Sequence, residues 1–234
     1  MGGAVAEKPA RLVAAAEPLD VVGPPPRFVS RGGDKLDAAL ARFGIAVAGR
    51  SALDAGASTG GFTDCLLQRG AATVVAVDVG NGQLDARLRA DPRVVVRERT
   101  NVRQVALDEP VDVVVADLAF VSLRTVADTL VRLTVPGRGD VVVLVKPQFE
   151  AGRAEASKGK GVIRDPAVWR RAIEGVKDSF ATAGAAMMGL MVSPLRGAEG
   201  NVEFLAHFRP GGAGAGAANQ ERDIDAVVAE AAAP

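Results

Sequence analysis

The stretch "ALDAGASTGGFTDCLLQRG", residues 52–70, places a short apolar run, a glycine-rich turn and the start of a helix in immediate succession. A strand feeding a helix through such a turn is the opening unit of a doubly wound sheet, and the chain beyond it repeats the theme. "TVVAVDVG", "RVVVRER", "VDVVVADLAF" and "DVVVLVKPQ" are short, valine-rich and almost unbroken by polar residues. Runs of this kind belong to parallel strands covered on both faces, and the segments between them suit right-handed crossovers. Helices are predicted over 60–69, 82–89, 122–133 and 166–184. Two later runs, "MMGLMVSPL" and "NVEFLAHF", predict strands pairing as an edge hairpin. The expected fold is α/β: a mainly parallel, doubly wound sheet with an antiparallel edge.

The turn itself reads Asp54-Ala-Gly56-Ala-Ser58-Thr-Gly60-Gly61. A dinucleotide fingerprint would be G-x-G-x-x-G with a pyrophosphate on the helix N-terminus. Here the first two glycines are four apart and an aspartate ends the strand, an arrangement that repels phosphate and suits a cation. S-adenosylmethionine carries a sulfonium, an ammonium and no phosphate. Gly56, Gly60 and Gly61, with Ser58 between them, are expected to admit its methionine part, because a Cβ would intrude. Asp78 closes the second strand, where an acid can accept ribose hydroxyls, and Asn101 follows the third, where it can meet an adenine edge. The alternative is a tight turn that binds nothing.

Two charged residues end apolar strands: Asp117 after "VDVVVA" and Lys146 after "DVVVLV". In a doubly wound sheet the first, fourth and fifth strands lie side by side, about 4.8 Å apart, so Asp54, Asp117 and Lys146 are expected to line one crevice at the carboxyl edge. The acceptor follows from what is missing. Exocyclic base amines are commonly handled by an acidic or amide residue followed by Pro-Pro-aromatic, whereas Asp117 is followed by "LAF". A cysteine nucleophile for base carbon does not fit, because the sole cysteine, Cys65, lies on the predicted helix after the glycine turn and reads as a packing residue. A ribose 2′-hydroxyl, a poor nucleophile, needs a group that holds it in line and favours loss of its proton. A desolvated lysine serves as base; one beside a carboxylate stays charged and stabilises a developing alkoxide. The sequence leaves both open.

"VSRGGDKL", "DAGASTGGFT", "VVADLAFVSL", "LVKPQFE" and "GNVEF", in that order, resemble the TlyA-like haemolysin and ribosomal RNA 2′-O-methyltransferase family, related to the RrmJ/FtsJ-type methyltransferases. The likeness spans roughly residues 27–209. It implies a Rossmann-like, S-adenosylmethionine-dependent methyltransferase fold and 2′-O-methylation of ribosomal RNA by a Lys-Asp-Lys-Glu tetrad. By motif the tetrad falls on Lys35, Asp117, Lys146 and Glu203, with Lys146 nearest the reacting hydroxyl. Lys35 and Glu203 take their roles from the resemblance alone.

The ends differ from this middle. "GPPPR", residues 23–27, reads as a stiff linker, so residues 23–30 are expected to separate a methyltransferase domain at 31–210 from residues 1–22. That first segment resembles only the closing part of the S-four-like RNA-binding domain with which the family usually begins, and the loss of the rest is expected to weaken RNA binding. Residues 211–234, glycine- and alanine-rich, are expected to form a disordered tail.

Lys and Arg (28) balance Asp and Glu (28), but residues 27–50 and 152–171 carry local basic excesses that could meet one polyanion. Arg31, Arg153, Lys158 and Lys160 are the expected RNA contacts, the last three on a Gly/Lys-rich loop after Lys146 that could close over RNA. No apolar run approaches the ~20 residues of a membrane helix, and no secretory signal opens the chain, so a cytoplasmic protein without a membrane partner is expected. A single histidine, His207, and a single cysteine leave no His/Cys metal site. Competing readings are a methyltransferase for a small hydroxylated metabolite, a non-catalytic RNA-binding or ribosome assembly factor on this scaffold, and a haemolysin-like activity. The paired acids and the full tetrad disfavour the non-catalytic reading.

Overall fold

The computed structural model describes residues 26–152, 155, 161–212 and 217–233, with the backbone alone for 217–222. The sheet is built from β1 (Ser51–Ala55), β2 (Thr73–Val77), β3 (Val94–Arg97), β4 (Val113–Ala116), β5 (Asp140–Val145), β6 (Ala185–Val192) and β7 (Phe204–Pro210). Their order is β3-β2-β1-β4-β5-β7-β6, the first five parallel and β7 antiparallel to both β5 and β6. The expected α/β sheet with its antiparallel edge is the one found.

The apolar runs are continuous because successive side chains enter different cores. Val114, Ala116, Val141, Val143 and Val145 face one cluster, with Trp169, Ile173, Val176 and Phe180 of α6 (Pro166–Thr182). Val113, Val115, Val142 and Leu144 face the other, with Leu36 and Leu40 of α1 (Gly32–Arg42) and Phe62 and Leu66 of α2 (Gly61–Gln68). Each such side chain contributes roughly 1.5–3 kcal/mol on burial, which only one face could supply if the strands alternated polar and apolar.

Other expectations change. The helix predicted over 82–89 is the shorter α3 (Ala86–Ala90). The one over 122–133 splits into a 3-10 turn (Leu123–Thr125) and α4 (Ala127–Arg132), because Val126 leaves the helical region at φ −124°, ψ −1°. A four-residue helix, α5 (Pro147–Glu150), follows Lys146. The tail is not featureless: residues 217–232 form α7, whose Ile224 and Val228 pack against β6 and α6. Alanine-rich sequence is strongly helix-forming, and two apolar residues one turn apart are enough to seat it. The front boundary moves as well. Phe28 is buried, and the Val29 N–H donates to Asp64 at 2.9 Å, so 27–30 belongs to the packed unit and is no free linker. The segment 1–22 lies outside the described residues.

Candidate active site

Strand register assembles the site. Asp117 and Lys146 follow the last residues of the neighbouring strands β4 and β5. Because β7 runs antiparallel, its first residue Phe204 pairs with Val145, and Glu203 therefore arrives beside Lys146 at the carboxyl edge. Lys35 comes from α1, which packs on α2. Gly33 lets Phe28 fold over the first turn of α1, since a Cβ there would stand 2.2 Å from the Phe28 ring.

The tetrad is two ion pairs. Lys146 Nζ lies 2.5 Å from Asp117 Oδ1, and Lys35 Nζ donates to Glu203 Oε2 at 2.5 Å. Lys35 is only 8% exposed and Glu203 only 3%. All four line one cavity of about 420 Å³, together with Gly56, Ser58 and Gly61 of the glycine turn and Arg31 at its rim. A second cavity of about 330 Å³ shares Gly56, Ser58, Asp117 and Ala119 with the first and is lined further by Asp78, Asn101 and Arg103. The four scattered side chains therefore meet in one place, next to a separate chamber.

Asp78 and Asn101, expected at the nucleoside of a methyl donor, both line that chamber. Asp78 accepts the Ser58 N–H at 2.8 Å and the Gly80 N–H at 2.6 Å, so its carboxylate also fixes the turn; Asn101 Oδ1 caps Arg103 N at 3.0 Å. Two expected donor residues lie elsewhere. Gly60 lines neither cavity: at φ +100° it begins α2, and a Cβ would strike Leu88 at 2.2 Å. Asp54 is wholly buried beneath the turn and also lines neither. Thr63 donates to its Oδ2 at 2.7 Å, while Oδ1 has no hydrogen-bond partner among the described residues. Burial pushes the Asp54 carboxyl up to about 7, with the Asp117 charge adding to the rise and the Thr63 hydrogen bond opposing it. Gly56 and Gly61 do line the cavity, yet their missing Cβ atoms would first meet protein, Asp117 O at 2.4 Å and Ser30 Oγ at 2.2 Å. Glycine is needed here for close packing of the chain on itself, whatever else it admits.

Sequence reasoning missed Phe120. It is 89% exposed at the mouth of the second cavity, held at φ +62°, with Phe149 of α5 at 5.3 Å between ring centroids. An exposed bulky residue in the left-handed region is unusual, and its only sequence signal was the "LAF" that follows Asp117. Within 27–50, Arg27 pairs with Asp37, Arg50 with Asp140 and Lys35 with Glu203, while Arg31 and Arg42 are exposed, Arg31 at the cavity. Arg153, Lys158 and Lys160 lie outside the described residues. Cys65 is fully buried and burial pushes its thiol up to about 12, so it packs and does not react.

A sheet of this order with two adjoining cavities at its carboxyl edge is the architecture of the Rossmann-like methyltransferases. The N-methyltransferase NodS of Bradyrhizobium japonicum, solved with S-adenosyl-L-homocysteine, shares the fold at TM-score 0.54 and 17% identity, covering 77% of this chain and 88% of that one. The model of the FtsJ-like methyltransferase family matches residues 28–209, and the chain belongs to that family. It is 51% identical over 211 residues to the 16S/23S rRNA (cytidine-2'-O)-methyltransferase TlyA of Mycobacterium tuberculosis, 88% of this chain and 78% of that protein. A candidate hemolysin from Lactococcus lactis superposes at TM-score 0.81 with 40% identity, over 88% of this chain and 99% of that one.

Proposed function

We propose that this chain transfers a methyl group from S-adenosylmethionine to a ribose 2′-hydroxyl of ribosomal RNA, in the cytoplasm. The observation that carries the reading is the convergence of Lys35, Asp117, Lys146 and Glu203 on one cavity that opens onto the Asp78–Asn101 chamber. The naming of the Mycobacterium relative supports ribosomal RNA as acceptor.

The residues present fit the donor. Asp78 and Asp117 flank the Gly56 turn with carboxylates, which disfavours phosphate and favours a sulfonium, while Val77, Val102 and Leu118 give the chamber apolar walls beside Asp78 and Asn101. S-adenosylmethionine, when bound, supplies an activated methyl group. Asp78 and Asn101 would hold its nucleoside, and Gly56 and Ser58 its amino-acid end. Lys146, fixed by Asp117, orients the 2′-hydroxyl and stabilises negative charge growing on that oxygen, and the hydroxyl proton leaves toward this pair. Lys35 and Glu203 neutralise each other in direct contact and brace one wall of the cavity. Arg31 meets phosphate and Phe120 offers a ring face to a nucleobase.

Incubation with ribosomal RNA and labelled donor, followed by nucleoside mapping, tests the reading. Label on ribose oxygen that disappears in Lys146→Ala, while calorimetry still detects donor binding, is the expected result; label on a base would overturn it.

A further inference from the structure

The motif "LVKPQFE" ends in a carboxylate that the tetrad does not use. Glu150, the last residue of α5, turns back onto the loop that follows Asp117. Ser122 Oγ donates to Glu150 Oε2 at 2.5 Å, and the Leu123 N–H donates to Oε1 at 2.8 Å. Both oxygens are thus spent on two adjacent residues, and Leu123 is itself buried. On the outer side of the same contact Phe120 meets Phe149, and Lys146 Nζ lies 5.9 Å from the Phe149 ring centroid. Loops after neighbouring strands ordinarily move independently; here one carboxylate ties them together. Burial raises the Glu150 carboxyl above its ordinary range, against the pull of these two donors, as it would for a group held at a low-dielectric seam.

We propose that Glu150 is a positioning residue: by binding Ser122 and Leu123 it fixes the loop after Asp117 to the helix after Lys146, and so holds the Asp117–Lys146 pair and the neighbouring Phe120 in the geometry of methyl transfer. The link to catalysis rests on the functional reading above. Displacing a reactive group by about 1 Å can lower turnover on the order of 10²-fold, which is the leverage available to such a clamp.

Glu150→Gln retains the shape and one acceptor oxygen; Glu150→Ala removes both. In the full chain, kcat on ribosomal RNA is expected to fall about tenfold in the first and on the order of 10²-fold in the second, with KM for RNA and the donor Kd each moving less than about threefold. Ser122→Ala should cause a smaller fall and add nothing to Glu150→Gln, because the two act as one unit. A purely structural residue would instead weaken donor binding in step with turnover, and that outcome, or an unchanged kcat in Glu150→Ala, overturns the proposal. Hydrogen exchange of the 118–124 backbone, read without RNA, separates this claim from the functional one. The Leu123 amide should exchange at least about tenfold faster in Glu150→Ala, and equal protection in both proteins overturns the clamp even if the wild type methylates ribose. A wild type that leaves ribose unmodified removes the functional reading, and the exchange result then decides the clamp by itself.

Discussion

Both edges of the sheet bury charge, and they do so in opposite ways. At the amino edge Asp140 accepts from His207 Nε2 at 2.9 Å, Arg209 Nη2 at 2.9 Å and Arg50 Nη1 at 2.8 Å, and Arg50 also donates to the Asp112 carbonyl at 2.7 Å. Burial alone would raise the Asp140 carboxyl, but the His207, Arg209 and Arg50 hydrogen bonds together hold it well below the usual carboxylate range. At the carboxyl edge the opposite holds. Among the described residues, Asp54 keeps one oxygen without a partner, and Lys35, Asp117, Lys146 and Glu203 each have one counter-charge and line the open cavity. A carboxylate met by three cations locks a framework, even though Arg209 Nε has no partner among the described residues, whereas carboxylates with spare capacity are available to a ligand.

The largest expected effect belongs to the under-satisfied edge. Lys146→Ala should lower methyl transfer to RNA by roughly 10²–10⁴-fold, read as initial rates, with the thermal midpoint nearly unchanged. A midpoint that collapsed with activity would erase the distinction between the edges. Next comes Asp140→Ala at the amino edge, which strands the buried His207 and the part-exposed Arg50 and Arg209 and should destabilise the protein by about 1–3 kcal/mol in urea unfolding. The specific activity of the fraction that stays folded should match wild type; a selective loss of turnover would mean that this edge, too, serves the site.

Asp54 sharpens the comparison through pH. Its proton is held more tightly folded, at about 7, than unfolded, at about 3.8, so its contribution to stability is complete below about pH 4 and is lost as pH rises toward 7. The total is on the order of 4 kcal/mol. Asp54→Asn should therefore gain on wild type between pH 5 and pH 8 in urea unfolding, and parallel stability curves would place the proton elsewhere. The smallest effect concerns Asp78→Ala. Freeing the Ser58 and Gly80 N–H groups costs about 1–3 kcal/mol and should weaken donor binding by about tenfold or more in calorimetry, with activity restored at saturating donor.

Much of this was legible in the chain. Valine runs bounded by turn signals identified the parallel strands, and Asp117 and Lys146 stood out because a charge ending a buried strand has few other places to go. Lys35 gave no signal of its own: a lysine on a helix is ordinarily solvated, and only the packing of α1 on α2 turns it inward to Glu203. Asp54 and Gly60 looked like donor contacts by position in the turn, yet backbone curvature put one beneath the turn and the other under Leu88. The tail was misjudged because composition counts apolar residues without asking whether Ile224 and Val228 find a face to cover.

By itself the sequence determined the parallel strands of the sheet and the charges at its carboxyl edge, since these follow from local periodicity and strand ends. The parallel neighbours β4 and β5 already set Lys146 beside Asp117, but only the tertiary structure decided that Glu203 meets Lys35. That pairing depends on an antiparallel register and on a helix crossing, and both are fixed by contacts between residues up to 168 positions apart.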